Sequence, residues 1–131
     1  MRLVLTACGL ALALAACALR REAPPPSGLD AYKRVVALDI VQSTPGAYCQ
    51  PGEEMLKSVV ILELQISADG ELLAASVVRS NGHPELAQVA LDSVKAAAPF
   101  APPEAGAGVQ FLETFLFRED GCFLVRSLVN R

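Results

Sequence analysis

The 131-residue sequence contains no tryptophan, and aromatic residues make up only 5% of it. It also contains no long basic run: 11 lysines and arginines stand against 14 acidic residues, a net charge of −3, and both signs are scattered along the chain. Proteins that bind nucleic acids need clustered positive charge to neutralise phosphates, and many add aromatic rings that stack on bases. We therefore expect no nucleic-acid partner.

Catalytic motifs are missing as well. The only histidine, His83, directly precedes Pro84 at the predicted start of a helix, and no Gly-x-Ser-x-Gly elbow or Cys/His arrangement accompanies it. Asp69-Gly70 is typical of a tight turn and not of a phosphate-binding loop. We therefore expect no enzymatic activity, no cofactor, no metal and no small-molecule substrate.

The N-terminal segment has the composition of a signal peptide. Met1-Arg2 is basic, and residues 3–16 are almost wholly apolar, which is shorter than the roughly 20 residues of a membrane-spanning helix. The segment ends in Leu14-Ala15-Ala16-Cys17, which resembles the bacterial lipobox, where small residues precede a lipidated cysteine. The resemblance implies cleavage between Ala16 and Cys17 and an acyl anchor on Cys17. The alternative is an uncleaved membrane helix from Leu3 to Leu19.

Three regions follow from this interpretation. They are a signal peptide over 1–16, a lipidated cysteine with a proline-rich tether over 17–27, and a folded domain over 28–131. Several acyl chains would hold the protein firmly, since a single chain gives only reversible binding. Ala18 stands where lipoproteins retained in the inner membrane carry Asp, so by resemblance we expect a periplasmic protein on the inner face of the outer membrane.

Hydrophobic periodicity predicts the order α-β-β-α-β-β in the folded domain. The predicted elements are a helix from Ser27 to Thr44, strands over 58–67 and 72–80, a helix from Pro84 to Pro99, and strands over 109–117 and 122–129. Leu73, Ala75 and Val77 are predicted to face the core from the second strand. Because antiparallel neighbours are commoner than parallel ones, we expect an α+β fold with a mainly antiparallel sheet in the order 2-1-3-4 and both helices on one face.

Several short motifs follow one another along the predicted elements. They comprise Asp69, Gly70, Ser80, Asn81, Gly82, Leu86, Pro99, Phe100, Pro102 and Pro103. In this order they resemble the TonB C-terminal domain family. The first helix, with Tyr32, Val36 and Ile40 spaced by four, is similar to the opening of the related TolA domain. Asn81, Ala87 and Ala101 depart from the family pattern, at positions that tolerate change.

The resemblance implies a domain that binds an envelope protein or peptide by pairing it with a free sheet edge. A transducer of this family would also need a membrane helix, typically with a polar residue such as His inside it, and a long linker. His83 lies outside the N-terminal segment and the tether is short, so we expect a lipid-anchored binding module. The alternatives are a TonB/TolA-type energy transducer for transmembrane transport with an uncleaved N-terminal helix, and a structural envelope lipoprotein.

The free edges of the expected sheet are the strands over 72–80 and 122–129. Members of the family offer the edge of their third strand, and in this chain the fourth strand is expected to cover that edge. The candidate partner-binding residues on the third and fourth strands are Val109, Phe111, Glu113, Phe115, Phe123, Val125 and Ser127. The alternative is an edge that Arg79 and Arg126 protect against unwanted pairing.

Cys49 and Cys122 remain after processing at Cys17. The expected topology places the loop before the first strand and the turn after the third at the same end of the sheet, so a disulfide between them is plausible in the oxidising periplasm. Two separate buried thiols are one alternative, and a metal site that adds the distant His83 is another.

Overall fold

The computed structural model describes residues 28–49, 55–104 and 106–129. The predicted signal peptide, the lipidation site at Cys17 and the tether lie outside these residues. The elements, in chain order, are helix α1 (Gly28–Ser43), strands β1 (Leu56–Ile66) and β2 (Leu72–Ser80), helix α2 (Pro84–Ala97), strands β3 (Val109–Arg118) and β4 (Phe123–Val125), and helix α3 (Arg126–Val129). Within these ranges no helix has the length and hydropathy needed to cross a membrane.

The four strands form one sheet in the order β2-β1-β3-β4, and every neighbouring pair is antiparallel. The prediction of an α+β fold with this strand order is confirmed. Strand β1 lies at the centre because it is long and alternates: its even-numbered residues from Val60 to Ile66 are buried and the intervening ones are half-exposed. This alternation is the signature of a strand with one covered face.

One hydrophobic core fills the space between the sheet and the helices. Helix α1 contributes Tyr32, Val36 and Ile40, and helix α2 contributes Ala90 and Val94. These side chains form a single cluster with the buried residues of β1 and β3, so both helices cover the same face of the sheet. The opposite face is open to solvent.

Strand β2 differs from the expectation. The pairing of β1 with β2 shifts register twice, and Leu72 lies opposite Ile66 while Ala74 lies opposite Gln65. Leu73 is the extra residue between these pairs and is 63% exposed. The prediction that Leu73 faces the core is therefore wrong, because a bulge reverses the side-chain alternation that the sequence displays.

The C-terminal segment differs as well. Strand β4 ends at Val125, and residues 126–129 form helix α3. The prediction of a strand reaching Val129 is wrong for these residues, and Ser127 lies in a helix. Its backbone N–H and its hydroxyl both donate hydrogen bonds to the buried carboxylate of Glu113, which draws the chain away from the sheet.

The motif residues of the turn after β1 and of the loop before β3 meet in the structure. Gly70 has a φ of +94°, and a Cβ at this position would lie 2.0 Å from the carbonyl oxygen of Phe100. The backbone N–H of Phe100 donates to the Gly70 carbonyl oxygen at 2.8 Å. Only glycine permits both this backbone conformation and this approach.

A second motif residue, Asn81, joins the turn after β2 to the central strand. Its side-chain oxygen accepts hydrogen bonds from the Ser58 hydroxyl at 2.7 Å and from the Val59 backbone N–H at 2.9 Å. The asparagine that departs from the family pattern therefore has a structural role in this chain.

Candidate functional site

The outer edge of β3 is only partly covered. Strand β4 pairs with β3 at three positions, from Phe115 opposite Val125 to Phe117 opposite Phe123. No strand of the described ranges pairs with the other side of residues 109–114, which we call the free half of β3. Candidate partner-binding residues were predicted on this segment, but the fourth strand was expected to continue along it, and in the structure that strand ends at Val125.

The direction of the main-chain groups follows from one hydrogen bond. The Arg118 N–H donates to the carbonyl oxygen of Cys122, toward β4, at 2.9 Å. Since alternate residues of an antiparallel strand direct their N–H and C=O groups to the same side, the groups of Gln110, Leu112 and Thr114 also point away from β1. The Thr114 N–H donates to the Glu113 carboxylate at 3.2 Å. Gln110 and Leu112 direct their groups to the open side, where an added strand would pair with them.

The outer edge of β4, by contrast, is covered. Phe123 donates its N–H to the Ala47 carbonyl oxygen and accepts a hydrogen bond from the Cys49 N–H, both at 2.9 Å. Tyr48 forms an isolated parallel bridge with Phe123 between these bonds. The expectation that the fourth strand offers a free edge is therefore wrong at Phe123, where the segment after α1 takes that place.

The seven candidate edge residues support the fold with their side chains. Phe111, Phe115, Phe123 and Val125 are buried in the core, Val109 is half-buried, and Glu113 and Ser127 bond to each other. Their contact with a partner stays a prediction. Gln110 and Leu112 were not predicted as edge residues. In β3 the core-facing residues direct their main-chain groups toward β1, so the alternate residues, Gln110 and Leu112 among them, direct theirs outward. The alternation of the sequence could therefore have identified both.

Glu113 is the unusual residue of this edge. It occupies a core-facing position of β3, between Phe111 and Phe115, and is only 2% exposed. Burial raises the pKa of its carboxyl group, while the hydrogen bonds from Ser127 and Thr114 and the charge of Lys33 act in the opposite direction. The side chain therefore sits in an apolar setting that penalises its charge, and its hydrogen bonds offset that penalty.

A recess of about 740 Å³ opens over Glu113 beside the free half of β3. The residues that line it are Asp30, Lys33, Arg34, Leu112, Glu113, Thr114, Arg126 and Ser127. Three of them are cationic and two, Asp30 and Glu113, are acidic. The Arg34 Nη1 donates to the carbonyl oxygen of Ser127 at 3.1 Å. Lys33 Nζ lies 5.8 Å from the centre of the Phe111 ring. The recess thus combines free main-chain groups with positive charge.

A second recess, of about 430 Å³, lies at the other end of the free half. Leu29, Tyr32, Pro103 and Val109 give it a largely apolar lining, with Glu104 and Gln110 at its polar side. The Tyr32 hydroxyl donates to the Ala101 carbonyl oxygen at 2.7 Å, which joins α1 to the loop before β3. The free half therefore runs between a cationic recess and an apolar one.

Cys49 and Cys122 lie at disulfide-bonding distance, with an Sγ–Sγ separation of 2.08 Å, at the end of the sheet where the expected topology places them. Their sulfurs lie within 4.8 Å of an Asp120 carboxylate oxygen, but sulfurs joined to each other are not thiolate ligands. His83 is not part of this group, and its Nδ1 lies 3.4 Å from a Glu85 carboxylate oxygen. The structure brings Cys49 and Cys122 together and does not bring His83 to them.

Comparison with known proteins points to one family. Residues 53–118 match the family model described as Gram-negative bacterial TonB protein C-terminal. Among solved structures, the NMR solution structure of the TonB C-terminal domain from Helicobacter pylori matches with 23% sequence identity and a TM-score of 0.48. The match covers 74% of this chain and 96% of the Helicobacter pylori chain. No curated protein matches the sequence.

Proposed function

The chain belongs to the TonB C-terminal family of Gram-negative bacteria, and we propose that it is a protein-binding module that pairs an extended segment of an envelope protein with the free half of β3. The observation that carries the proposal is the outward direction of the Gln110 and Leu112 main chains next to the point where β4 ends. In strand addition these main-chain groups supply affinity, and neighbouring pockets select side chains.

The charges beside the free half favour one kind of segment. Lys33, Arg34 and Arg126 line the recess over Glu113, so a carboxylate on the bound segment would gain favourable electrostatic interactions there. The apolar recess at Leu29 and Val109 suits a hydrophobic side chain a few residues away. We propose an extended peptide that carries an acidic residue and an apolar residue on the side facing helix α1.

The N-terminal sequence supports a membrane-bound position for this module. Lipidation at Cys17 would anchor the chain, and the ten residues from Ala18 to Ser27 span at most about 35 Å when fully extended. The bound partner would therefore lie within a few nanometres of the bilayer. With Ala18 after the cysteine, we propose the periplasmic face of the outer membrane.

Crosslinking in cells tests the binding edge. We expect a photoreactive amino acid at Gln110 of the full-length chain to form specific adducts, and Leu112→Pro to abolish them. Proline lacks the N–H that an added strand needs, while the pairing of β3 with β1 does not use that N–H. Ala75→Pro is the matched control, because Ala75 directs its N–H away from β1 on the other sheet edge. Adducts that survive Leu112→Pro but not Ala75→Pro would contradict the proposal.

Mass spectrometry of the purified protein tests the anchor. We expect an acylated N-terminal Cys17 and a Cys17→Ala variant that is no longer processed. An intact Met1 would favour the transducer with an uncleaved N-terminal helix. Acylation without any adduct from the β3 edge would favour a structural envelope lipoprotein.

A further inference from the structure

Sequence and structure disagree in a specific way at the C-terminus. Residues 122–129 were expected to form one strand, and Phe123, Val125 and Val129 are residue types that favour strands, yet the strand ends at Val125. In the register of β4, where Val125 lies opposite Phe115, a continued strand would place residues 126–129 opposite residues 114–111. The chain's own C-terminal segment is therefore positioned to cover the free half of β3.

The carboxylate of Glu113 takes the place of that strand. It accepts the Thr114 N–H, which points toward the missing neighbour, and the Ser127 N–H, each at 3.2 Å. It also accepts the Ser127 hydroxyl, while the Ser127 carbonyl oxygen accepts a hydrogen bond from Arg34. Ser127 is thus held on one side by β3 and on the other by α1, away from the edge.

Helix α3 does not hold itself in place. It has four residues, whereas isolated helices shorter than about 12 residues are marginal in water because the first turn is costly to nucleate. None of its residues is fully buried, and Leu128 is half-buried against the hydrophobic core. The contacts of Ser127 with Glu113 and Arg34, together with this packing of Leu128, therefore keep residues 126–129 helical.

We propose that residues 126–129 are an intramolecular competitor for the free half of β3, and that Glu113 holds them in the helical, open state. Loss of the contacts between Glu113 and Ser127 releases the segment, which then extends β4 along residues 111–114. Extension of β4 would close the binding edge, and only this consequence rests on the proposed function. The conformational change itself is a property of the protein without a partner.

Hydrogen exchange and chemical shifts of the partner-free protein test the proposal. In Glu113→Leu we expect the Leu112 amide to exchange about tenfold more slowly, as it would if the closed form reached about 90% population. The shifts of residues 126–129 should change from helical to extended values. Glu113→Gln and Ser127→Ala are milder changes in the same contact and should act in the same direction.

Ser93→Ala is the matched control for the serine variant. Ser93 is 2% exposed, and its hydroxyl donates to the Val89 carbonyl oxygen at 2.8 Å within helix α2. It should leave the exchange of Leu112 unchanged. If residues 126–129 lose helical shifts while Leu112 keeps exchanging fast, the segment merely frays and the proposal is wrong. Unchanged helical shifts in all three variants would also refute it.

The two proposals fail in different ways. Slower exchange of Leu112 in Glu113→Leu, together with undiminished crosslinking from Gln110 in cells, would support the competitor and refute binding at this edge. Unchanged exchange with adducts that depend on Leu112 would refute the competitor and leave binding at the edge intact.

Discussion

The sheet offers two edges of different regularity, strand β2 on one side and the free half of β3 on the other. Strand β2 is nine residues long, is interrupted by two register shifts against β1 and carries Arg79 near its end. Bulges and charges are devices that keep an edge from pairing with other chains. The free half of β3 pairs with β1 without a register shift and lies between two recesses. This difference supports the proposal that a partner pairs with the edge of regular geometry.

Both edges depend on the contact between Gly70 and Phe100, and breaking it is expected to have the largest effect. In Gly70→Ala the new methyl group would overlap the Phe100 carbonyl oxygen at 2.0 Å, so we expect a loss of about 3–5 kcal/mol in the free energy of unfolding. Gly82→Ala is the matched control: its φ is +88° but nothing lies within 4 Å, and it should cost about 1 kcal/mol. Equal losses in urea denaturation would contradict this explanation.

The disulfide lies beside the outer edge of β4, which is covered where the free half of β3 is not. Cys49 and Cys122 are 73 residues apart, and the bond fixes the segment that covers β4. Replacing both with alanine should reduce the free energy of unfolding by about 2–4 kcal/mol. It should also increase hydrogen exchange of the backbone amide at position 49, which donates to the Phe123 carbonyl oxygen. A stability loss with unchanged exchange of that amide would mean that Tyr48 and its neighbours cover β4 without the bond.

The β3 edge carries a buried acid, Glu113, and this acid should make the stability of the fold depend on pH. Burial raises the pKa of Glu113 in the folded chain, so the folded state takes up a proton at a higher pH than the unfolded state. Stability therefore rises as pH falls from neutral toward the pKa of the unfolded chain, and the gain is complete below that value. Asp39, whose pKa burial also raises, acts in the same direction.

Guanidinium denaturation at pH 7 and pH 5 measures this slope, and Glu113→Gln isolates the contribution of Glu113. We expect the variant to show a smaller gain than the parent on acidification. An identical gain in both proteins would show that Glu113 does not change its protonation in this range.

The sequence was sufficient for features that depend on local pattern. The alternation of β1 and the turns at Asp69-Gly70 and Asn81-Gly82 gave the element order, and the preference for antiparallel neighbours gave the strand order. The helical conformation of residues 126–129 could not be predicted in the same way, because Glu113, which accepts hydrogen bonds from Ser127, lies 14 residues earlier in the chain. Periodicity describes what a segment prefers alone, and a buried carboxylate elsewhere overrode that preference.

The smallest effects are expected when one exposed leucine on each edge is replaced. Leu73 on β2 is 63% exposed and Leu112 on β3 is 48% exposed, so Leu73→Gln and Leu112→Gln should each change the free energy of unfolding by about 0.5 kcal/mol or less. Only Leu112→Gln should reduce the yield of adducts from a photoreactive residue at Gln110, because Leu112 lies in the free half of β3, where a bound strand would contact its exposed side chain. An equal reduction by Leu73→Gln would mean that partners do not distinguish the two edges, and regular geometry would then not explain which edge binds.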